Sequence, residues 1–451
     1  MQFTKALQHN IGWKALNTVL AFFINLLLVR ILGAAESGDF FYTIALLSFF
    51  TLVTSWSMEA GITFYGSKHR DSVPAISLLI LPWLVMQAVV VWVLLHFMIF
   101  SVNRQISWLY VLSNLVIIYF SALYYAKKWF ISINVIVCVV NSIVLVSLLW
   151  IFSNYGSDQE KLANLLQEKI SWRLPVLINN NRQSGVLQDF NFAGIAYFAG
   201  FLLQALALSI FFFFKSGFTI NTISFNTQMA RNIFRYSSIA FISNILFFLV
   251  TRIDYYFVQK YCSEIDLSNY VQVSKMGQLL VLLPSMMAGV IFPFSSGADD
   301  RDYLFKVQFL CRLIGLVFIP VASTVIITGY WLFPWLFGSG FTGMYPSMLL
   351  YLPGFYCLSL VTVLAAHLAG RAMLTKNMIA SAIALVIVIS GDILLVPLGG
   401  IFAAAAVSSI AYFLCLVYLL GVFRNHMGCN PYVFFAAGKT DIKLLLSRLR
   451  K

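Results

Sequence analysis

Seven charged side chains interrupt the long apolar runs of this sequence. They are Arg30, Glu59, Arg252, Asp254, Lys275, Arg312 and Asp392. A charge at the centre of a membrane helix costs about 2.5 to 3.5 kcal/mol on insertion scales, unless it faces protein or water. In such a place an arginine can hold an anion in its planar fork of donors, and a carboxylate can hold a proton or a cation. These residues are therefore candidates for a path or site that handles a charged ligand.

The amino-acid composition indicates which kind of structural element carries these charged residues. Of 451 residues 61% are hydrophobic and only 10% are charged, whereas about a quarter of a soluble domain is charged. We find twelve apolar runs of roughly 17 to 25 residues, long enough to cross a hydrocarbon core of about 30 Å as helices. The runs are 11–32, 40–63, 75–100, 107–125, 129–152, 192–214, 237–258, 270–294, 308–330, 346–369, 378–397 and 400–422. The sequence thus predicts an all-α, polytopic membrane protein with about 12 transmembrane helices.

The formal charge of +13 is distributed as a topology signal. With alternating sides, nineteen basic residues fall on the side of the two termini and seven on the opposite side. The seven are Arg30, Arg104, Lys161, Lys169, Arg173, Arg182 and Lys260. By the positive-inside rule both termini are cytoplasmic. The excess positive charge therefore predicts orientation in a membrane, and no nucleic acid partner is expected.

Soluble-enzyme motifs are not assembled in this chain. GSGFTG at 338–343 has the spacing of a dinucleotide-binding loop but lies between two predicted spans, so we expect a turn there. AGKT at 437–440 lacks the upstream glycine of a phosphate-binding loop, because residue 433 is valine. The five histidines and six cysteines are scattered. We expect no catalytic residues, no metal site, no cofactor and no enzymatic activity.

The charges in the predicted seventh span border a polar face. At about 100° per residue, Ser237, Asn244 and Thr251 form one stripe, which should face into the protein. Arg252 and Asp254 flank the stripe, and residues two apart on one helix point to nearly opposite sides, so they should not neutralise each other. Arg252 is expected to face a lumen. Asp254 can equally serve to pair helices and fix the bundle.

Three further charges have polar neighbours or lie near a span end. Lys275 borders Ser274, Gln278 and Ser285 on the eighth span, and Asp392 shares a side of the eleventh span with Asn377 and Ser381. For Asp392 too, interhelical pairing is the competing interpretation. Arg30 projects away from the polar arc of the first span, so it is either an interfacial anchor or an anion contact.

A short sequence repeat divides the chain into two halves. LVRI at 28–31 is echoed by LVTRI at 249–253, about half the chain length later, and a short acidic connection to the next span is expected after each. Six spans per half predict a parallel repeat. We expect an N-terminal lobe at 1–214 with an external loop at 153–191, a cytoplasmic linker at 215–236, a C-terminal lobe at 237–423 and a basic cytoplasmic tail at 424–451. Within these, 158–170 should form a short helix, and 439–451 an amphipathic end attracted to anionic lipid.

Several stretches, in this order, resemble one transporter family. They are N-x-x-W at Asn10 and Trp13, RILGAAESGDF, RIDYYFV followed by SNYVQVSKMGQLLVLLPSMMAGVIFPFSS, the FPWLFGSGF turn, LLYLPGFY and LLVPLGGIFAAAAVSSIAYFL. They are similar to the Wzx-type flippases of lipid-linked oligosaccharides in the multidrug/oligosaccharidyl-lipid/polysaccharide (MOP) exporter superfamily. The similarity covers residues 10 to 425 except the loop at 153–191.

The resemblance implies two six-helix lobes around a cavity and transport by alternating access. It implies a bacterial inner-membrane protein that moves undecaprenyl-diphosphate-linked repeat units, such as those of O-antigen, to the periplasmic leaflet. Membrane lipids, the polysaccharide polymerase and the chain-length machinery are the expected partners. Arg252 matches the family's seventh-span R-x-D and Arg30 its first-span R-x-L-G, which makes both substrate-path candidates together with Asp254, Lys275, Asp392 and Glu59.

Two other functions stay open at this point. A multidrug/cation antiporter of the same superfamily would share the fold and use a membrane carboxylate for coupling, with Asp392, Asp254 or Glu59 as candidates. A membrane-embedded polysaccharide polymerase or ligase would need an external active loop, and only 153–191 is long enough. That loop contains no histidine, which disfavours the enzyme.

Overall fold

The computed structural model describes residues 3–68, 73–97, 104–127, 129–155, 192–216, 227–295, 300–371 and 373–435, and every regular element in these ranges is helical. The α-helices are α1 (Phe3–Ser55), α2 (Met58–Lys68), α3 (Val73–Phe97), α4 (Arg104–Ala126), α5 (Phe130–Tyr155), α6 (Phe192–Ser216), α7 (Thr227–Val250), α8 (Ile253–Tyr261), α9 (Glu264–Ser295), α10 (Asp300–Phe337), α11 (Met344–Gly370) and α12 (Leu374–Met427). Two 3₁₀ helices lie at Ser339–Phe341 and Pro431–Phe434. The predicted all-α class is confirmed, and GSGFTG forms the predicted turn.

Nine helical stretches among the described residues are long and apolar enough to cross a membrane. Two of them, Gly12–Ser55 and Leu374–Met427, contain 44 and 54 residues, whereas one crossing takes about 20. Each therefore has the length of two predicted spans. The protein is a multi-pass membrane protein, as its hydropathy predicts.

Two glycines bend these long helices. Gly33 in α1 has φ 78° and ψ 179°, and Gly400 in α12 has φ 57° and ψ −144°. Only glycine reaches such positive φ values without a Cβ penalty, so it can reverse the chain between two helices in one residue. The acidic connection expected between the first two spans is accordingly wrong, because residues 34 to 40 are already helical.

The predicted second span, 40–63, is broken. Helix α1 ends at Ser55 and α2 begins at Met58, while Trp56 and Ser57 have positive φ values of 51° and 48°. Such a conformation costs a non-glycine residue about 1 to 3 kcal/mol. Gln87 of α3 offsets part of this cost, because its Nε2 donates to the Thr54 carbonyl that the break leaves without a helical partner.

The chain forms two compact units, unit 1 at residues 1–245 and unit 2 at 246–451. In unit 1 the helix α4 lies at the core, where Tyr119 and Tyr124 are fully buried. In unit 2 the most buried helix is α11, against which α9 and α12 pack. The predicted lobes and the linker 215–236 stay predictions, and α7 begins at Thr227 inside that linker.

Several sequence predictions lie outside the described residues. They are most of the external loop at 153–191 with its helix at 158–170, AGKT at 437–440 and the amphipathic tail at 439–451.

Candidate functional site

A buried carboxylate joins three helices of unit 2. Asp254 lies in the first turn of α8 and is fully buried. Its Oδ1 accepts the backbone N–H of Tyr255 at 3.0 Å. Its Oδ2 accepts the hydroxyl of Tyr270 from α9 at 2.5 Å, and that of Ser408 from α12 lies at 3.5 Å. A carboxylate with these donors at a helix N-terminus is stabilised by both the hydrogen bonds and the helix dipole.

Aromatic hydroxyls extend this network into the core of unit 2. The rings of Tyr270 and Tyr351 stack with centroids 6.1 Å apart, and the Tyr351 and Tyr412 hydroxyls lie 3.3 Å apart. All three tyrosines are buried. The Tyr351 and Tyr412 hydroxyls thus form a second buried polar pair in unit 2, and the Tyr270 hydroxyl lies 3.4 Å from that of Ser408.

A second buried carboxylate lies within electrostatic range of the first. Asp392 of α12 is fully buried, and neither of its carboxylate oxygens has a hydrogen-bond partner among the described residues. It interacts electrostatically with Asp254 and with Tyr270. The two halves of α12 approach closely here, because a Cβ on Gly391 would lie only 2.6 Å from Val407 Cγ1. A buried carboxyl without a hydrogen-bond donor is a candidate for binding a proton or a cation.

Two basic residues of unit 2 take part in the same set of electrostatic interactions. Arg252 caps the start of α8 with φ −141° and ψ −18°. Its Nη1 donates to the Tyr255 hydroxyl, and its guanidinium lies 5.0 Å from the centroid of that ring. Lys275 of α9 is half-buried and interacts electrostatically with Arg252. Helix breaks in membrane proteins are tolerated where they line a cavity or contact protein, and they commonly hold ions.

The helical wheel used for Arg252 and Asp254 does not describe this segment. It assumed one continuous helix, but α7 ends at Val250 and α8 begins at Ile253. Across this break the two residues interact electrostatically, although Arg252 makes its hydrogen bond to Tyr255. Arg252, Asp254, Lys275 and Asp392 are therefore linked by pairwise electrostatic interactions within unit 2, and we call them the charged cluster.

The polar stripe of α7 faces protein over its first part. Ser237 is fully buried, and Asn244 donates to the Ser57 hydroxyl at 3.1 Å. A Cβ on Gly61 would lie 2.6 Å from Ser237 Oγ, so this glycine allows α2 and α7 to approach closely. Thr251 instead bonds to the Phe247 and Phe248 carbonyls of its own helix. The first part of the stripe, Ser237 and Asn244, therefore serves helix packing within unit 1.

The stripe of α9 is only partly buried, and two remaining polar or charged residues lie on α10 and α12. Ser274 is buried, whereas Gln278 and Ser285 are exposed. On α12, Asn377 donates to the Ala365 carbonyl at 2.8 Å. Arg312 of α10 lies 5.7 Å from the ring centroid of Phe305.

Arg30 and Glu59 belong to unit 1. Arg30 is exposed on α1, three residues before the bend at Gly33. Glu59 lies in the first turn of α2, directly after the Trp56–Ser57 break. It is half-buried, and its Oε2 is buried without a hydrogen-bond partner among the described residues.

Sequence reasoning missed the tyrosines and serine that hold Asp254. Tyr255 and Tyr270 are 1 and 16 residues from Asp254, and Ser408 is 154 residues away. One hint was available, since Tyr270 begins the span that follows the R-x-D motif. Ser408 carries no such hint, because a serine in an apolar helix most often bonds its own backbone.

A family described as "Polysaccharide biosynthesis protein" matches residues 189–346. This segment, about a third of the chain, contains Arg252, Asp254 and Lys275 but not Arg30, Glu59 or Asp392. A search of curated proteins finds no match.

Solved structures match over nearly the whole chain. The lipid II flippase MurJ in an inward closed conformation aligns with a TM-score of 0.62 at 13% identity, covering 92% of this chain and 87% of that protein. A point mutant of the MATE transporter VcmN of Vibrio cholerae aligns at 0.57 and 12% identity, covering 95% and 99%. An inward-facing multidrug resistance MATE transporter of the MOP superfamily aligns at 0.56 and 12% identity, covering 92% and 98%. The chain is therefore a multi-pass membrane protein with the fold shared by MurJ and the MATE transporters of the MOP superfamily.

Proposed function

We propose that this protein is a flippase that moves undecaprenyl-diphosphate-linked oligosaccharide repeat units from the cytoplasmic to the periplasmic leaflet. It would act by alternating access in the bacterial inner membrane, with both termini in the cytoplasm. The observation that carries the proposal is the position of Arg252 at a helix break. Lys275 interacts with Arg252 electrostatically, and both residues lie inside the segment that matches the polysaccharide biosynthesis family.

The chemistry of the substrate explains the need for these cations. A diphosphate cannot enter hydrocarbon without compensation, since an unpaired charge there is strongly disfavoured. Arginine offers two parallel N–H donors to phosphate oxygens, and lysine adds a point charge. Arg252 already holds the Tyr255 hydroxyl, which can be exchanged for a phosphate oxygen when the substrate enters. Lys275 then supports the second phosphate.

The acidic pair supports a role in driving transport. Asp392 has no hydrogen-bond partner for either oxygen among the described residues, although it interacts with Asp254. A proton or a monovalent cation bound by this pair would compensate one of the two negative charges, and the nearby Arg252 offsets part of the other. Release of the bound ion to the other side of the membrane would then supply the energy for a conformational change.

The test is deletion of the gene in its native host. Lipid-linked repeat units should accumulate in the cytoplasmic leaflet and surface polymer should disappear, while assembly of the units continues. Purified protein in liposomes should then move a fluorescent polyprenyl-diphosphate glycan between leaflets. Lengthening or transfer of glycan by the purified protein alone would show instead that it is a polymerase or ligase.

A cation-coupled multidrug antiporter is the second candidate, favoured by the uncompensated Asp392. It predicts that deletion sensitises cells to lipophilic cations and leaves surface polymer intact. The two candidates therefore give opposite results in one strain.

A further inference from the structure

An apolar groove runs along α5 in unit 1, and Trp13 of α1 contributes to its wall. It has a volume of about 700 Å³, and its walls include Trp13, Val135, Val139, Ser142, Val146 and Trp150. At 1.5 Å per residue, the stretch from Val135 to Trp150 is about 22 Å long. One leaflet is roughly 15 Å deep, half of the hydrocarbon core. The groove is therefore longer than the leaflet depth that one phospholipid tail occupies.

A cluster of basic and aromatic groups surrounds the start of α5. Lys127 and Lys215 place their ammonium groups 5.3 Å and 4.9 Å from the ring centroid of Trp129. Lys215 also donates to the Ser132 hydroxyl at 2.7 Å. The indole is held in place by contacts with the buried rings of Tyr124 and Phe212, whose centroids are 5.9 Å and 5.8 Å away.

The cluster and the groove share one face of α5. Ser132 precedes Val139 by seven residues, which is two helical turns, so both side chains point in nearly the same direction. An amphiphile whose head contacts Lys215 would therefore lay its tail along the groove. The charge asymmetry of the sequence places this lysine-bearing end in the cytoplasm, where the lipid-linked units are assembled under the proposed function.

We propose that this groove and the Lys127–Trp129–Lys215 cluster form a docking site for a long-chain polyprenyl diphosphate. The two ammonium groups complement the two phosphates of the head, and the groove takes the first part of the isoprenoid tail. This inference rests on the proposed function for the identity of the carrier. It concerns a site distinct from the charged cluster of unit 2, and it describes capture of the carrier before the head group crosses.

The test measures binding of undecaprenyl diphosphate to full-length protein in nanodiscs made of uncharged lipid. Lys127→Ala and Lys215→Ala should each weaken binding about five-fold. Lys260→Ala is the matched control, because Lys260 also lies over a ring, that of Tyr261 at 5.2 Å, but is outside the groove. Farnesyl diphosphate, with its short tail, should bind more weakly than undecaprenyl diphosphate.

The tail contact is tested by filling the groove. Val146→Trp should weaken binding of undecaprenyl diphosphate at least five-fold and leave farnesyl diphosphate binding unchanged. Val85→Trp is the control, since Val85 on α3 is 68% exposed and Val146 is 65% exposed. Unchanged binding by Val146→Trp, or equal displacement of the carrier by phosphatidylglycerol, would overturn the proposal.

Carrier binding and flipping in liposomes test the docking site and the proposed function independently. If the carrier binds as described but liposomes show no flipping, the docking site stands and the flippase function fails. If flipping is normal while the groove and lysine variants bind the carrier like wild type, the docking site fails and the function stands.

Discussion

The Tyr270 hydroxyl donates a 2.5 Å hydrogen bond to the Asp254 carboxylate and thereby ties α9 to the first turn of α8. Both residues are fully buried. This bond holds the short helix α8, which follows the break at Arg252, in a defined orientation. The position of Arg252 thus depends on a carboxylate two residues away and on a tyrosine of the next helix.

Tyr270→Phe should destabilise the protein. It removes a donor from a buried carboxylate, and hydrogen bonds to charged groups contribute about 1.5 to 3 kcal/mol. We expect the free energy of unfolding in detergent to fall by this amount. Tyr432→Phe is the control, since Tyr432 is 71% exposed and its replacement should change stability by less than about 0.5 kcal/mol. Equal stabilities of the two variants would contradict the role given to this bond.

Arg252→Ala should lose most transport although the protein still reaches the membrane, because the positive charge at the helix break is gone. Arg252→Lys should recover part of the transport, because lysine restores the positive charge but cannot donate the two parallel hydrogen bonds of a guanidinium. Surface polymer per folded protein is the measurement, with the exposed Arg424→Ala as control. A fall in abundance, restored by a paired replacement of Asp254, would assign Arg252 to helix pairing. Full transport at normal abundance would exclude the substrate role.

Asp392→Asn should uncouple transport without reducing protein abundance. The wild-type side chain buries two oxygens that lack partners among the described residues, and a neutral amide is less costly to bury than a charge. Flipping in liposomes should then lose its dependence on an imposed proton or sodium gradient. Glu264→Gln, at an exposed position, should keep that dependence. Retained coupling in Asp392→Asn would remove this residue from the driving step.

Gly277→Ala should destabilise unit 2 by about 1 to 3 kcal/mol through overpacking. An added Cβ would lie 1.9 Å from Cζ of Phe355, so the buried ring would have to move. Gly421→Ala has nothing within 4 Å of its Cβ and should stabilise α12 by up to about 1 kcal/mol, the helix propensity difference. The measurement is the thermal stability of both variants. If Gly277→Ala leaves the stability unchanged, the close packing of α9 on α11 is refuted.

The predicted topology can be tested by labelling intact cells with an impermeant thiol reagent. Ser157→Cys in the predicted external loop should be modified, and Ser447→Cys in the predicted cytoplasmic tail should not. Wild-type protein, which contains six cysteines, gives the background. The opposite labelling pattern would reverse the orientation inferred from the basic residues.

The membrane spans were predictable because lipid imposes one requirement on the whole chain. Every backbone group in hydrocarbon must be bonded internally, so an apolar run of about 20 residues becomes a helix whatever its neighbours are. The run 107–125 is found within α4 and 346–369 within α11. The interruptions were not predictable. Trp56, Ser57 and Arg252 have no special helix-breaking character, and the first two adopt positive φ values that only surrounding contacts can support.

The sequence by itself determined which residues were candidates for handling a charged ligand. A charge in an apolar run raises the free energy of membrane insertion, so such residues are easily recognised. The sequence placed Arg252, Asp254, Lys275 and Asp392 on three different spans without showing that they meet. Tertiary structure alone decided that Ser408, 154 residues along the chain, contacts the Asp254 carboxylate, and that Asp392 interacts with the same group electrostatically. The physical reason is that helix periodicity specifies only which residues share a face, whereas which faces meet depends on close packing such as that of Gly391 against Val407.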